Sequence, residues 1–208
     1  LSFADAVRVV RRRGDFMQQA VPVGTGAMAA ILGVDLPAVE GICRDAADGE
    51  VLDVANINSP GQIVVAGHRT AVERAIALAA ARGGKRSVLL PVSAPFHCRL
   101  MAPAAERLAE VLGSVPAGDP RPPVVRNVDA ELSRRAEDVR PFLVRQVTAP
   151  VRWTECVGRM AGEGCRTFLE VGPGKVLTGL LRRIDGGMTG FAVEDTAGLD
   201  KAAAALGA

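Results

Sequence analysis

Aromatic side chains are scarce in this sequence. Its 208 residues contain no tyrosine, and aromatic residues make up 3% of the chain, so few rings are available to stack on unpaired bases. An excess of one charge is also lacking, because 25 lysine and arginine residues nearly balance 23 aspartate and glutamate residues. Binding of nucleic acid normally requires a strongly basic surface. These two deficits argue against nucleic acid as a partner.

Histidine and cysteine are few as well. The two histidines are His68 and His97, and the four cysteines form no C-x-x-C pair. A structural zinc site takes four ligands at characteristic spacings, so we expect no metal cofactor. Four scattered thiols are typical of a reducing compartment, and we therefore expect the protein to be cytoplasmic.

Long apolar runs are missing from the sequence. No stretch approaches the ~18 apolar residues of a membrane span, and no charged-then-apolar signal peptide begins the chain, so we expect no membrane partner. The first residue is Leu1 rather than methionine. Since gene products ordinarily begin with methionine, we expect a processed, cropped or incompletely sequenced chain.

The residues that are present indicate a folded α/β protein. Hydrophobic residues make up 49% and charged residues 23% of the chain, close to the averages of soluble globular proteins. Within residues 22–93, four short stretches are strand-like and two longer ones are helical, in the order β-α-β-β-α-β. This order predicts a ferredoxin-like unit, in which two helices cover one face of a four-stranded antiparallel sheet. The Pro60-Gly61 pair predicts a turn between its middle strands.

The remaining sequence shows mainly helical patterns. A helix is predicted in residues 1–20, which either ends near Gly14 or resumes after it, and TFLEVGPG predicts a buried strand that enters a glycine turn. We interpret that turn as a packing feature, because it completes neither a P-loop nor a G-x-G-x-x-G motif. The tail from Asp185 gives no clear pattern. Other predictions are a short strand in VVRNV and helices at about 100–113, 137–147, 153–163 and in KVLTGLLRRI.

Five segments in order suggest a family. They are RGDFMQQAVPVGTGAMAA, NINSPGQIVVAG, PVSAPFHCRLM, LVRQVTAPVRW and EVGPGKVLTGL. Together they resemble the malonyl-CoA:acyl carrier protein transacylases, from the first residue to about Ile184. The resemblance implies an α/β-hydrolase-like large subdomain, incomplete here, with an inserted ferredoxin-like small one. We assign residues 1–21 and 94–208 to the large subdomain and residues 22–93 to the small one.

The same resemblance implies an activity and its partners. Enzymes of this family transfer malonyl from malonyl-CoA to the phosphopantetheine thiol of acyl carrier protein through a seryl-enzyme intermediate, without a metal or redox cofactor. His97 lies in the family's S-x-P-x-H segment and is the expected base, although a lone histidine after an apolar strand is more often structural. The resemblance further implies that the Gln146 backbone carbonyl accepts a hydrogen bond from the ring of this histidine. His68 is expected to be an ordinary surface residue.

Arg13 and Asn58 are the expected substrate-binding residues. A guanidinium can hold the free carboxylate of a malonyl group with two hydrogen bonds, and the R-G-x-F-M-Q context places Arg13 at the family's carboxylate-binding position. Without that context, three consecutive arginines indicate only a solvated basic cluster. Asn58 lies in a segment that the family places near the active-site cleft.

The expected nucleophile is missing from the sequence. In this family it is a serine in G-x-S-x-G, on a strained turn between a strand and a helix, and no serine of this chain lies in that motif. We therefore expect the serine to lie upstream of Leu1. An alternative is an acyltransferase domain of a polyketide synthase, with the same chemistry and another carrier protein. An alternative of another class is a non-catalytic ferredoxin-like binding module.

We predict that the 208-residue chain, incubated alone with malonyl-CoA, forms no malonyl-enzyme. His97 can accept a proton, but no positioned serine is present to attack the thioester. Intact-protein mass spectrometry measures the result, with a transacylase that contains the G-x-S-x-G motif as the positive control. A stoichiometric gain of one malonyl group on a serine of this chain would contradict the prediction.

Overall fold

The protein forms a mixed α/β structure in a computed structural model that describes residues 1–207. Its helices in this range are α1 (Phe3–Gln19), α2 (Leu36–Ala47), α3 (Arg69–Ala81), α4 (Ala102–Gly113), α5 (Ala136–Arg145), α6 (Trp153–Gly162), α7 (Val176–Ile184) and α8 (Thr196–Leu206), with a turn of 3-10 helix at Arg99–Met101. The strands are β1 (Gly26–Leu32), β2 (Leu52–Ser59), β3 (Gln62–His68), β4 (Arg86–Leu89), β5 (Val124–Val125), β6 (Leu132–Ser133), β7 (Thr167–Val171) and β8 (Thr189–Val193).

Helix α1 is one continuous helix, whereas the sequence predicted a break near Gly14, with the helix ending there or resuming after it. Ser2 caps its first turn, where the hydroxyl accepts a hydrogen bond from the Asp5 amide at 3.1 Å. Buried Val9 and Met17 lie on either side of Gly14 and belong to a core that α1 shares with α4. Their burial offsets the ~1 kcal/mol that a glycine costs inside a helix. Arg13 therefore lies within a helix rather than at its end.

Residues 26–89 form an antiparallel sheet with the strand order β2-β3-β1-β4. The predicted order β-α-β-β-α-β is present, and the predicted turn at Pro60 and Gly61 joins β2 to β3, with Gly61 at a φ of +68°. Strand β4 is shorter than the predicted stretch RSVLLPVS. Pro91 offers no backbone N–H for a sheet hydrogen bond, so it helps to end this edge strand.

Side chains on both faces of this sheet pack against other parts of the protein, and one of these faces supports the segment around His97. One face packs against α2 and α3 through a core that includes Ile31, Val65 and Val72. The opposite face presents Met28 and Val64, which belong to a second cluster with Cys98, Phe96 and Leu100. Because successive side chains of a strand point to opposite faces, one short sheet supports its own helices and the histidine segment at once.

The C-terminal region differs from the sequence prediction in two ways. Strand β7 is not buried, since Leu169 is 45% and Val171 79% exposed. Within residues 1–207 its only strand partner is β8, which runs parallel to it. The tail, in which no pattern was found, contains β8 and α8. Helix α8 has a local start signal, because the Asp195 carboxylate accepts a hydrogen bond from the Gly198 amide at 2.7 Å.

The minor elements agree more closely with the sequence. The segment VVRNV contributes only the two-residue strand β5, which pairs with β6. Helices α4, α5, α6 and α7 begin and end within a few residues of their predicted bounds. Among residues 1–207, no helix combines the length and the apolarity needed to cross a membrane.

A substitution at Gly26 in β1 probes the close packing of this strand against the segment that contains His97. A Cβ atom at this position would lie 2.3 Å from Cγ of buried Pro95, so Gly26→Ala should lower the free energy of unfolding by about 1–3 kcal/mol, the usual cost of overpacking. Gly158→Ala is the matched control, because Gly158 is exposed in α6 with open space around it. Alanine should stabilise that helix slightly. Denaturant midpoints measure both changes, and equal midpoints would contradict the expected difference.

Candidate functional site

His97 lies in a strained loop between β4 and the 3-10 helix. Its φ is +61°, a left-handed conformation that is uncommon for residues other than glycine and is costly unless the surroundings impose it. Pro95 is buried on one side of it, and the buried Cys98 thiol donates a hydrogen bond to the Pro95 carbonyl at 3.1 Å. These contacts stabilise the conformation of the loop that carries His97.

Strand β2 anchors the other end of this loop. The backbone amide of Arg99 donates to the Asp53 carboxylate at 2.9 Å, and the Arg99 guanidinium lies 3.0 Å from the same carboxylate. Arg99 follows His97 by two residues, whereas Asp53 lies in β2. The ion pair therefore fixes the position of the histidine loop relative to the edge of the sheet.

Gln146 faces the ring of His97. The residue follows the last turn of α5, and its backbone carbonyl lies 3.0 Å from Nδ1 of His97. Because a carbonyl oxygen can only accept a hydrogen bond, Nδ1 carries the proton and Nε2 keeps a free lone pair. An imidazole in this tautomer can act as a base through Nε2. The contact is present in the structure, while the catalytic role of both residues stays a prediction.

The surroundings of His97 favour its neutral form. Burial lowers the pKa of His97 below its ordinary value, and the positive charge of Arg13 lowers it further. The backbone carbonyls of Gln146 and Ala149 act in the opposite direction, but burial is the largest influence. At neutral pH the imidazole is therefore uncharged and available to accept a proton.

Arg13 is a half-buried cation on α1. Burial lowers its pKa below the ordinary value of arginine. In the part of the chain that the structure describes, no carboxylate lies within 4.0 Å of Arg13, whereas Arg11 pairs with Asp15 at 3.3 Å. Arg12 is exposed. Of the three consecutive arginines, Arg13 is the one whose charge acts on His97, so the structure brings a cation and a neutral imidazole into one neighbourhood.

Asn58 makes no direct hydrogen bond to the other candidate site residues that the structure describes. It lies half-buried near the end of β2, and across residues 1–207 no side-chain hydrogen bond joins it to His97, Gln146 or Arg13. The strand does approach the glutamine segment nearby, because the Ile57 amide donates to the Val151 carbonyl at 2.8 Å. The substrate-binding role of Asn58 stays a prediction.

His68 differs from the expectation of an ordinary surface residue. It is half-buried at the end of β3, and its Nδ1 accepts a hydrogen bond from the Val51 amide at 2.9 Å. The polar residues that follow it in the sequence suggested exposure. The pairing of β2 with β3 instead places the ring next to the Val51 amide, just before β2. His68 therefore closes the end of the sheet.

The glycine turn after β7 is occupied by carboxylates of the protein. The Gly174 amide donates to Glu194 at 3.0 Å, and the Leu177 and Thr178 amides at the start of α7 donate to Glu170 at 2.9 and 2.7 Å. An anion would compete with these groups for the same amides. The geometry agrees with the interpretation of this turn as a packing feature.

The sequence-based prediction missed two contributors to the site, the Asp53 carboxylate and the Gln146 side chain. Asp53 holds the histidine loop across 46 positions of sequence, and an isolated aspartate in a strand-like stretch gives no hint of such a partner. The Gln146 side chain donates to the carbonyls of Ala149 and Pro150 at 2.9 and 3.2 Å. The T-A-P sequence after Gln146 was the available clue, since proline disfavours helix in the residue before it.

Arg13→Ala should raise the pKa of His97, because removal of a positive charge makes protonation of the imidazole less costly. The measurement is an NMR titration of the imidazole signals, with a His68→Gln background so that one histidine remains. Arg12→Ala is the matched control: an exposed arginine of the same helix whose loss should change the pKa of His97 less. A His97 pKa that is unchanged or lower in Arg13→Ala would contradict the electrostatic interpretation.

Sequence relatives include malonyl CoA-acyl carrier protein transacylases. The chain is 51% identical over 195 residues to that of Escherichia coli strain K12, which covers 94% of this chain and 63% of the relative. It is 45% identical over 196 residues to that of Bacillus subtilis strain 168, covering 94% and 62%. The chain thus spans less than two thirds of the length of these relatives.

Solved structures and a family model agree with these matches. The acyl carrier protein S-malonyltransferase of Vibrio cholerae has a TM-score of 0.95 at 48% identity, over 97% of this chain and 66% of that one. A malonyl-transacylase in complex with a type II polyketide synthase acyl-carrier protein gives 0.95 and 48%, over 97% and 65%. The family model described as acyl transferase domain matches residues 1–198. Since this match covers nearly all of the sequence, the chain belongs to the acyl transferase domain family.

Proposed function

We propose that this chain is the larger part of a malonyl-CoA:acyl carrier protein transacylase. The observation that carries the proposal is the hydrogen bond of 3.0 Å between His97 Nδ1 and the Gln146 carbonyl, in a site where Arg13 has no carboxylate partner among the described residues. The names of the sequence relatives and structural neighbours favour the same substrate and carrier protein. Malonyl-CoA and a phosphopantetheinylated acyl carrier protein are the proposed partners.

The proposed reaction proceeds through a seryl-enzyme. The nucleophilic serine belongs to a segment upstream of Leu1, in keeping with relatives that are longer than this chain and with the absence of G-x-S-x-G from its sequence. His97 Nε2 takes the hydroxyl proton as the serine oxygen attacks the thioester carbonyl of malonyl-CoA. The tetrahedral intermediate collapses to the malonyl ester, and the imidazolium protonates the departing coenzyme A thiolate.

The second half of the reaction reverses these roles. His97 takes the proton of the phosphopantetheine thiol, whose sulfur attacks the ester carbonyl. Collapse of this intermediate breaks the ester bond, and the imidazolium returns its proton to the serine oxygen. Neither half of the reaction involves electron transfer. The same imidazole acts first as base and then as acid in both halves.

Arg13 is the proposed selector of the substrate. The malonyl group differs from acetyl by a free carboxylate. A half-buried guanidinium that has no counter-ion among residues 1–207 binds such a group more strongly than an exposed one would. Asn58 is proposed to line the same cleft. In the proposed architecture, residues 1–21 and 94–208 belong to an α/β-hydrolase-like subdomain, and residues 22–93 form the ferredoxin-like insertion.

A polyketide synthase carrier protein is the second candidate partner. It is favoured by the structural neighbour that was solved with a type II polyketide synthase acyl-carrier protein. The chemistry at His97 would be the same, and only the docking of the carrier would differ. A non-catalytic ferredoxin-like module is disfavoured, because such a module has no need for an oriented neutral histidine near an arginine that has no carboxylate partner among residues 1–207.

The experiment uses a protein of the relatives' full length that contains this chain. Malonyl transfer from coenzyme A to phosphopantetheinylated acyl carrier protein is compared with acetyl transfer. Arg13→Ala should reduce malonyl transfer more than acetyl transfer by about 30- to 700-fold, which corresponds to the ~2–4 kcal/mol of a charge-assisted contact. Arg12→Ala, on the exposed side of the same helix, is the control and should leave the ratio unchanged.

Two results would count against the proposal. An equal loss for both acyl groups would remove Arg13 from carboxylate recognition. No malonyl transfer by the unaltered full-length protein to either type of carrier protein would overturn the proposed activity itself.

A further inference from the structure

Gln146 contacts the histidine site with its backbone and holds the adjoining turn with its side chain. The carbonyl lies 3.0 Å from His97 Nδ1. The side-chain amide Nε2 donates to the Ala149 carbonyl at 2.9 Å and to the Pro150 carbonyl at 3.2 Å. The side chain of Gln146 therefore ties the turn that follows α5 to the residue whose carbonyl contacts His97.

The Ala149 carbonyl also acts on the imidazole. Together with the Gln146 carbonyl it opposes the lowering of the pKa of His97 by burial. The Gln146 amide therefore holds one of the two carbonyls directly, and it holds the other through the turn that its own backbone begins. Arg13 is the charged group that acts on the ring from the side of α1.

The turn needs such a restraint because its backbone makes few strong hydrogen bonds. After α5 ends, the Val147 amide donates to Val144 at 3.1 Å and the Thr148 amide to Arg145 at 3.3 Å. The Ala149 amide makes no backbone hydrogen bond within residues 1–207, and Pro150 has no amide hydrogen to donate. The next backbone hydrogen bond is at Val151, whose amide donates to the Ala55 carbonyl of β2 at 2.8 Å. The Gln146 carboxamide spans this gap.

We propose that the Gln146 side chain is a positioning group: by holding the turn of residues 146–150 it keeps the Gln146 carbonyl directed at His97 and so keeps the ring proton on Nδ1. It thereby leaves Nε2 free as the base. This inference rests on the proposed function only for the use of that base, because the tautomer of His97 is a property of the chain with or without catalysis.

The test compares Gln146→Met with the unaltered 208-residue chain by ¹⁵N NMR of the imidazole, in the His68→Gln background. Methionine is similar in length but donates no hydrogen bond. The Nδ1–H form should dominate in the unaltered chain, and the Nε2–H form should gain population in Gln146→Met. The pKa of His97 should fall further, because two carbonyls that favour the protonated ring are released. Gln19→Met, a matched change at an exposed glutamine of α1, should alter neither property.

A second variant separates positioning from folding. Gln146→Asn keeps the amide but withdraws it by one methylene, and it should shift the tautomer in the same direction if Gln146→Met does not fold. Folded variants with an unchanged tautomer and pKa would overturn the proposal. Failure of both variants to fold would assign the side chain a structural role and would overturn it too.

Activity provides an independent readout in a protein of the relatives' full length. Gln146→Met should lower kcat for malonyl transfer by about tenfold or more, because a histidine in the wrong tautomer cannot accept the serine proton, with little change in KM. An unchanged kcat beside a shifted tautomer would contradict the use of the base but leave the positioning intact. Absence of malonyl transfer in the unaltered protein would count against the proposed function and leave the NMR result unaffected.

Discussion

The hydrogen bond between His97 and Gln146 joins residues 49 positions apart, and both of its partners are held by strand β2. Asp53 binds Arg99, two residues after the histidine. Ala55 and Ile57 of the same strand bind the backbone of Val151, five residues after the glutamine. Each segment is thus located against a common strand, and this shared anchoring helps to bring the imidazole and the carbonyl within hydrogen-bond distance.

The contacts of β2 with the Val151 segment also satisfy backbone groups at the edge of the sheet. The strand lies at the edge of the four-stranded sheet, where unpaired N–H and C=O groups can recruit other chains. The approach of Val151 as an isolated parallel bridge to Asn56 satisfies part of that edge within the chain. An edge that would otherwise favour association with other chains thus aligns the candidate site. The small sheet therefore helps to position the histidine segment, in addition to supporting its own two helices.

The sequence predicted the elements whose patterns are local and failed where stability comes from distant partners. Four strands and two helices in residues 22–93 were evident from hydrophobic pattern and turn residues, and the family resemblance is confirmed by the acyl transferase domain match. Strand β8 was missed because its five residues TGFAV include a glycine and pair with β7 some twenty positions earlier. The exposure of Val171 was missed because an apolar run does not reveal how many strands flank it. The salt bridge of Asp53 with Arg99 is invisible to any local pattern.

The electrostatics of Arg13 and His97 connect substrate binding to the state of the base. A half-buried cation without a partner is costly, yet here the same charge helps to keep the imidazole neutral. In the proposed function, a malonyl carboxylate would compensate Arg13 only once substrate is bound. Its negative charge would then oppose the effect of Arg13 on His97 and make proton uptake by the imidazole easier at the moment when the serine must be deprotonated. An acetyl group offers no such compensation. In the proposed function, the malonyl carboxylate would therefore both select the substrate and raise the pKa of His97 when the serine is deprotonated.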